Sequence, residues 1–170
     1  MEQRKVLSLE QEFYMIAKPI VESEIFQSQK AYKHHKYTNV YEHVLSVAYE
    51  AFLYAKRHNG YNLAAVVRGA LLHDFYLYDR YAPREQTHRK GLHGFTHPRV
   101  AKENANKYFD ISEKEENIIL SHMWPLTFFS FPRSKEAWLI VRIDKQIVRK
   151  ESKIKGPVYQ FKIIKENVNV

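Results

Sequence analysis

The strongest periodic pattern of apolar residues runs from about residue 39 to residue 58. Its apolar positions recur at the spacing of one helix face: Val40, Val44, Val47, Ala48, Ala51, Phe52 and Ala55. Asn39 with Glu42 three residues later forms a capping-box pattern, and Asn59-Gly60 supplies a stop signal. The pattern therefore predicts an amphipathic helix from Asn39 to His58, and His43 falls on its apolar face.

A second segment, from about residue 62 to residue 75, is apolar on almost every side. A helix of this kind has no solvent-facing stripe and belongs in the centre of a fold. Its C-terminal end carries two adjacent polar residues, His73 and Asp74. The following stretch, 79–96, is rich in basic residues and contains Pro83 and two glycines, so it predicts a long loop.

Start signals predict three further helices downstream. The first begins at His97-Pro98, with proline at the favoured first helical position. The second begins at Ser112, whose capping partner is Glu115. The third begins near Ser134 and places Asp144 on its apolar face.

The two ends of the chain are less regular. The first 38 residues predict one or two helices with a break before Pro19, because proline disfavours a helical residue before it. After Arg149 the helical pattern fades, and residues 158–164 are compatible with a strand, a helix or a packed tail. The predicted fold class is all-α, a compact helical bundle.

Composition limits the class of protein. A chain of 170 residues fits one domain, and the absence of cysteine excludes disulfides, thiolate zinc sites and a cysteine nucleophile. Residues 1–5 do not lead into an apolar stretch, so no signal peptide is expected. The longest apolar run, 63–72, contains Arg68. It is too short to span a bilayer, which takes about 20 residues. We therefore expect a cytoplasmic protein with no membrane segment.

The formal net charge is +8, with nine further histidines. Such a charge favours an anionic partner: a phosphorylated small molecule, nucleic acid or an acidic lipid surface. Charge alone does not choose among these three.

Ligand-capable side chains interrupt the predicted apolar faces. They are His43, His73, Asp74, His122 and Asp144. Burying one of these groups unpaired costs on the order of a few kcal/mol, and a shared divalent cation removes that cost. Imidazoles and carboxylates suit manganese, iron, cobalt, nickel or zinc. The alternative is a set of scattered core histidines whose hydrogen bonds are satisfied.

The order of these residues resembles the signature of the HD-domain metal-dependent phosphohydrolases, in particular an uncharacterised bacterial branch. His43, His73-Asp74 and Asp144 match the mononuclear set, and His97 and His122 resemble the additional ligands of binuclear members. The surrounding words are also similar: Tyr41-Glu42-His43-Val44, Arg68-Gly69-Ala70-Leu71-Leu72-His73-Asp74, His93-Gly94-Phe95-Thr96-His97-Pro98, Ser121-His122-Met123-Trp124-Pro125-Leu126 and Arg142-Ile143-Asp144-Lys145. The resemblance implies an HD-type domain over residues 1–150 with a metal site at its centre, and a basic tail of unassigned structure over 151–170.

The residues after the His-Asp pair disfavour two named activities of the superfamily. The cyclic-dinucleotide phosphodiesterases carry glycine and lysine shortly after the His-Asp pair, where this chain has residues 75–78, Phe-Tyr-Leu-Tyr. The guanosine-tetraphosphate hydrolases carry an acidic pair three to four residues after it, where this chain has Leu77 and Tyr78. What remains implied is hydrolysis of a phosphate ester of a nucleotide or similar metabolite.

The resemblance also implies roles for individual residues. Asp74 bridges two divalent ions, and a water activated between them attacks phosphorus in line. Arg68 and Lys145 are the predicted catalytic cations that clamp the phosphate, and His35 is a predicted substrate contact. Structural roles are the alternatives: an ion pair for Arg68 and a solvated lysine for Lys145. Asp79 is an expected helix-end carboxylate.

Other functions remain open from the sequence. A catalytically silent HD fold that binds a nucleotide as a sensor would keep the same metal ligands. A nucleic-acid-binding module is suggested by the charge and the basic tail, although the tail holds no recognised nucleic-acid motif. The predicted basic loop is a candidate lid that recruits anionic substrate, or simply a solvated surface; its cations are Arg80, Arg84, His88, Arg89, Lys90 and His93. Oligomeric state cannot be read from these patterns.

Overall fold

The protein folds as a set of α-helices with one very short sheet. The structure, a computed structural model, describes residues 7–87 and 91–159. The helices in these ranges are α1 Leu9–Val21, α2 Glu24–Gln27, α3 Val40–Arg57, α4 Leu63–Leu72, α5 Arg84–Thr87, α6 His93–Tyr108, α7 Glu113–Ser121 and α8 Lys135–Ile154. The predicted all-α class is confirmed. No helix in the described ranges is both long and apolar enough to cross a bilayer.

Helices α3 and α4, whose apolar patterns in the sequence are the clearest, form the centre of the fold. Asn39 caps α3 by accepting a hydrogen bond from the Glu42 N–H, and the Glu42 carboxylate accepts one from the Asn39 N–H. Asn62 caps α4 by accepting from the Ala65 N–H at 3.0 Å. The apolar faces of both helices are buried against each other and against α8. The predicted boundaries are correct to within about three residues.

Two prolines lie inside helices, contrary to the sequence prediction. Pro19 is near the end of α1, where its missing N–H would face Met15, a residue on the exposed side of the helix. Water can satisfy the released carbonyl there, so the helix does not break before Pro19. Pro98 lies inside α6, because that helix begins at His93 rather than at His97. The predicted loop is therefore shorter, and α5 interrupts it. His88, Arg89 and Lys90 of the predicted lid lie outside the described residues.

A small hairpin precedes α3 and was not predicted. Strand β1, Lys33–His35, pairs antiparallel with β2, Thr38–Asn39. Arg80 and Tyr81 anchor this hairpin by donating hydrogen bonds to the carbonyl of His34. The hairpin therefore lies against the segment that follows α4.

The last helix extends beyond the point where its pattern fades. Helix α8 continues past Arg149 to Ile154 and ends at Lys155, which has a left-handed backbone conformation. Val158 and Tyr159 then pack on the core, and the Tyr159 hydroxyl donates a hydrogen bond to Glu50. The rest of the basic tail lies outside the described residues.

Candidate metal centre

All six residues predicted as metal ligands lie together in the centre of the bundle. His43 comes from the first turn of α3, His97 from α6 and Asp144 from the middle of α8. His73-Asp74 and His122 follow directly after the last residues of α4 and α7. Each of the six side chains is buried.

Asp74 is the middle of this cluster, and its two oxygens face different neighbours. Its Oδ1 lies 3.1 Å from His97 Nε2 and 3.5 Å from His122 Nε2. Its Oδ2 lies 3.1 Å from His34 Nε2 and 3.8 Å from His73 Nε2. A carboxylate in this position can bridge two sets of ligands.

The second set contains His43, His73 and Asp144. The Oδ1 of Asp144 lies 3.1 Å from His43 Nε2 and 3.9 Å from His73 Nε2. The ligand-capable atoms of this set all lie within 4.8 Å of one another, as do those of His73, Asp74 and His122. His73 belongs to both sets.

Three of the imidazoles are oriented by their own helices. The Nδ1 atoms of His73, His97 and His122 lie 2.6, 2.7 and 2.7 Å from the carbonyl oxygens of Ala70, His93 and Ile119 respectively. Since a carbonyl only accepts, each Nδ1 carries a proton, and each Nε2 faces the cluster. This is the orientation that metal-binding histidines usually have.

The spacing of the donor atoms fits a divalent cation. Metal–ligand bonds of about 2.1 Å place neighbouring donors about 3.0–3.5 Å apart. The three nitrogen and oxygen atoms of His97, His122 and Asp74 are separated by 2.8, 3.1 and 3.5 Å. Two lone pairs facing each other at 2.8 Å repel unless a cation or a proton lies between them. Moreover, the buried Nε2 of His73 has no hydrogen-bond partner among the described residues.

Burial and neighbouring charges shift the pKa values of the cluster in different directions. Burial lowers the pKa of His73 to about 4, so its imidazole is neutral at pH 7. Burial raises the pKa of Asp74, but the neighbouring His73 and His97 and hydrogen bonds from other imidazoles outweigh it and hold that pKa well below its usual range. Burial also lowers the pKa of His43, but its bonds to Asp144 and Glu151 raise it to about 10. A metal ion at His43 therefore has to displace a proton.

Two members of the cluster were missed from the sequence. His34 is the buried middle residue of β1, and its ring stacks on that of His43, with centroids 3.7 Å apart. Glu151 lies on α8 with its Oε2 3.0 Å from His43 Nδ1. His34 was passed over for its neighbour His35. Glu151 lies seven residues after Asp144, on the same face of a helix, but beyond Arg149, where the helical pattern of the sequence fades.

An open cavity of about 400 Å³ leads to the cluster. Asp74, His97, His122 and Asp144 form its polar floor, and several further side chains line it: His34, His35, Arg80, His93, Met123, Lys145, Val148 and Arg149. His35 and Lys145, the predicted substrate contacts, thus border the same space as the ligands. Lys145 also donates a hydrogen bond to the carbonyl of Trp124 at 2.5 Å.

Arg68, predicted as a phosphate clamp, is elsewhere. Its Nε lies 2.5 Å from a carboxylate oxygen of the buried Glu115, and its Nη2 lies 2.5 Å from the carbonyl of Asp110. It lines a separate shallow depression between α4 and α7. Arg68 therefore does not line the cavity that leads to the cluster, because its side chain leaves α4 on a face that points to Glu115. Asp79 is exposed and accepts a hydrogen bond from the Tyr81 N–H.

Comparisons with protein-family models, with curated proteins and with solved structures find nothing that matches this chain. The centre is therefore characterised by its own side chains. Buried groups of histidine, aspartate and glutamate that can hold a metal ion meet at the end of a cavity with a cationic wall.

Proposed function

We propose that this protein is a metal-dependent phosphohydrolase related to the HD-domain superfamily. The observation that carries the proposal is the convergence of six buried donor residues, positioned by five helices, of which four line the floor of one cavity. Their order along the chain matches the superfamily's signature, and their geometry suits divalent cations. Cytoplasmic location is part of the same proposal, since a chain without cysteine needs no oxidising compartment to form disulfides.

The roles of the residues follow from their positions. Bound divalent ions supply a water that ionises near neutral pH and neutralise charge on phosphoryl oxygens. Asp74 holds the two ligand sets together through its two oxygens, while His43, His73, His97, His122 and Asp144 complete them. Lys145 and His35 bind the phosphate group from the cavity wall. A lysine ammonium suits this role because it donates charge-assisted hydrogen bonds to phosphoryl oxygens.

The cavity favours a compact phosphorylated metabolite as substrate. Its described lining combines cations with only two long apolar side chains, Met123 and Val148. Histidine rings are the only aromatic groups in that described lining. A nucleotide base would therefore have to stack on an imidazole, whereas a small phosphate ester needs only the cations and the metal centre.

The first experiment measures bound transition metals by mass spectrometry on protein purified without chelator. We expect about two ions per chain, as in other two-metal hydrolytic sites, and a sharp loss in Asp74→Ala. Asp79→Asn is the matched control, because Asp79 is an exposed carboxylate five residues away. The loaded proteins are then assayed with p-nitrophenyl phosphate and bis-p-nitrophenyl phosphate, which separate monoester from diester hydrolysis.

The outcomes distinguish the candidate functions. Hydrolysis that depends on the metal and disappears in Asp74→Ala supports the proposal. Absence of metal from the native protein, even after incubation with manganese or iron, contradicts it. Bound metal without turnover of any phosphoester in a broad screen favours the alternative of a catalytically silent nucleotide sensor.

A further inference from the structure

His43 is oriented differently from the other three imidazoles of the cluster. His73 and His122 follow the C-terminal ends of α4 and α7, where the last four carbonyls have no partner within the helix. Each imidazole donates its Nδ1–H to one of these carbonyls, that of Ala70 or Ile119. His43 is the fourth residue of α3, near its N-terminus. The partner of its Nδ1 comes from another element.

That partner is Glu151 of α8. Its Oε2 lies 3.0 Å from His43 Nδ1, and the Nε2 of the same ring lies 3.1 Å from Asp144 Oδ1. Asp144 and Glu151 are seven residues apart on one face of α8, so a single helix contacts both nitrogens of the ring. The Glu151 side chain is 1% exposed.

The cost of this arrangement points to a role beyond packing. The second oxygen of Glu151, Oε1, is buried with no hydrogen-bond partner among the described residues. A buried carboxylate is expensive, and an unpartnered oxygen adds to that expense. An apolar residue at this position would pack against the core at lower cost, although it would leave the Nδ1 of His43 without a partner.

We propose that Glu151 is a positioning residue of the metal centre, whose carboxylate accepts the Nδ1–H of His43 and so reserves Nε2 for the metal. The inference rests on the proposed metal centre and assigns a function to a residue outside its six ligands. A carboxylate behind a ligating imidazole fixes the ring and raises its basicity, and its loss typically reduces metal affinity by about 10- to 100-fold.

The test compares three variants by zinc affinity, measured by competition with a chromophoric chelator. Glu151→Ala removes the acceptor, and we expect its zinc affinity to fall by about 10- to 100-fold. Glu151→Gln keeps an amide oxygen as acceptor and should recover most of the loss. Glu103→Gln, an exposed glutamate on α6, is the control and should bind zinc like the native protein. Circular dichroism verifies that each variant is folded.

A second readout does not require a variant. Long-range ¹H–¹⁵N NMR spectra of the zinc-loaded native protein report which imidazole nitrogen holds the metal. We expect His43 to be protonated at Nδ1 and metallated at Nε2. Metallation at Nδ1 would overturn the proposal even if Glu151→Ala did not fold.

Other results separate this inference from the proposed function. Native zinc binding with an unchanged affinity in Glu151→Ala overturns the role of Glu151 and leaves the hydrolase proposal standing. Equal losses of zinc affinity in Glu151→Gln and Glu151→Ala, with one ion fewer per chain, would overturn the positioning role and make Glu151 a direct ligand. Its partners would be His34 and His43, because the ligand-capable atoms of these three residues lie within 4.8 Å of one another. A native protein that binds no metal would overturn both proposals.

Discussion

At the scale of single residues, the two ligand sets differ in composition, and Asp74 lies between them. The first combines Asp74 with His97 and His122, whose Nε2 atoms are 2.8 Å apart. The second combines His43, His73 and Asp144. Removing one imidazole from a set should therefore affect one ion more than the other.

We expect His122→Ala to bind one ion per chain where the native protein binds two, because the second set remains complete. Metal content by mass spectrometry measures this directly. His58→Ala is the control, since His58 is an exposed imidazole stacked on Tyr54 at the end of α3. Retention of both ions in His122→Ala would mean that His122 is a core imidazole rather than a ligand.

The six candidate ligands could be predicted from the sequence because each one interrupts an apolar face or stands in a segment that resembles the HD-domain signature. His34 and Glu151 do neither. His34 lies in a three-residue strand, too short for any periodic pattern, and Glu151 lies in a part of α8 where the pattern had already faded. The surroundings of Arg68 could not be predicted for a related reason. Spacing places Arg68 one turn before His73, but spacing does not reveal that α7 supplies Glu115 on that side.

At the scale of elements, the close approach of α4 and α7 brings two ligands together. Gly69 of α4 faces Ile118 of α7, and a Cβ added at Gly69 would lie only 2.8 Å from the nearest Ile118 atom. Both helices end just beyond this contact, so His73 and His122 meet with ring centroids 4.8 Å apart. A glycine at this point determines how near the two rings come.

We expect Gly69→Ala to reduce the free energy of unfolding by about 1–3 kcal/mol, the usual cost of overpacking a core. It should also weaken metal binding, because α4 and α7 move apart. Chemical denaturation measures the first effect and chelator competition the second. In the control Gly156→Ala, the added Cβ would have no neighbour within 4 Å, so stability and affinity should be unchanged. A Gly69→Ala protein as stable as the native one would show that Ile118 yields easily.

Element boundaries were predictable where caps and periodicity agreed, as at Asn39 for α3 and Ser112 for α7. They were not predictable at Pro19 and Pro98. A proline raises the free energy of a helix without forbidding it, and the burial of apolar neighbours such as Ile20 and Ala101 offsets that cost. Such tertiary stabilisation cannot be read from local sequence.

At the scale of the whole molecule, the positive charge is partly focused on one opening. The cavity wall contains Arg80, Lys145 and Arg149 together with His35. A group of like charges on one wall attracts ions of the other sign, and salt screens the attraction between exposed groups. Part of the positive charge is thus placed on the cavity wall, where an entering anion would meet it.

We expect Lys145→Ala to weaken the binding of inorganic phosphate to the metal-loaded protein by roughly 10- to 100-fold, the contribution of one hydrogen bond to a charged group. Isothermal titration calorimetry at low salt measures it. Lys135→Ala is the control on the same helix, since Lys135 is exposed and lies over the ring of Tyr61. Equal phosphate affinity in the native protein and Lys145→Ala would remove Lys145 from the binding site.

The ends of α4 and α7 beside His73 and His122 also impose a sequence of events. A helix C-terminus carries a partial negative charge, and here two of them meet at a pair of carboxylates, Asp74 and Asp144. Before cations arrive, this floor repels a phosphate however strongly the cavity wall attracts it. Under the proposed function, metal and substrate therefore bind in a compulsory order, with the metal first, and chelation of the metal removes the substrate site.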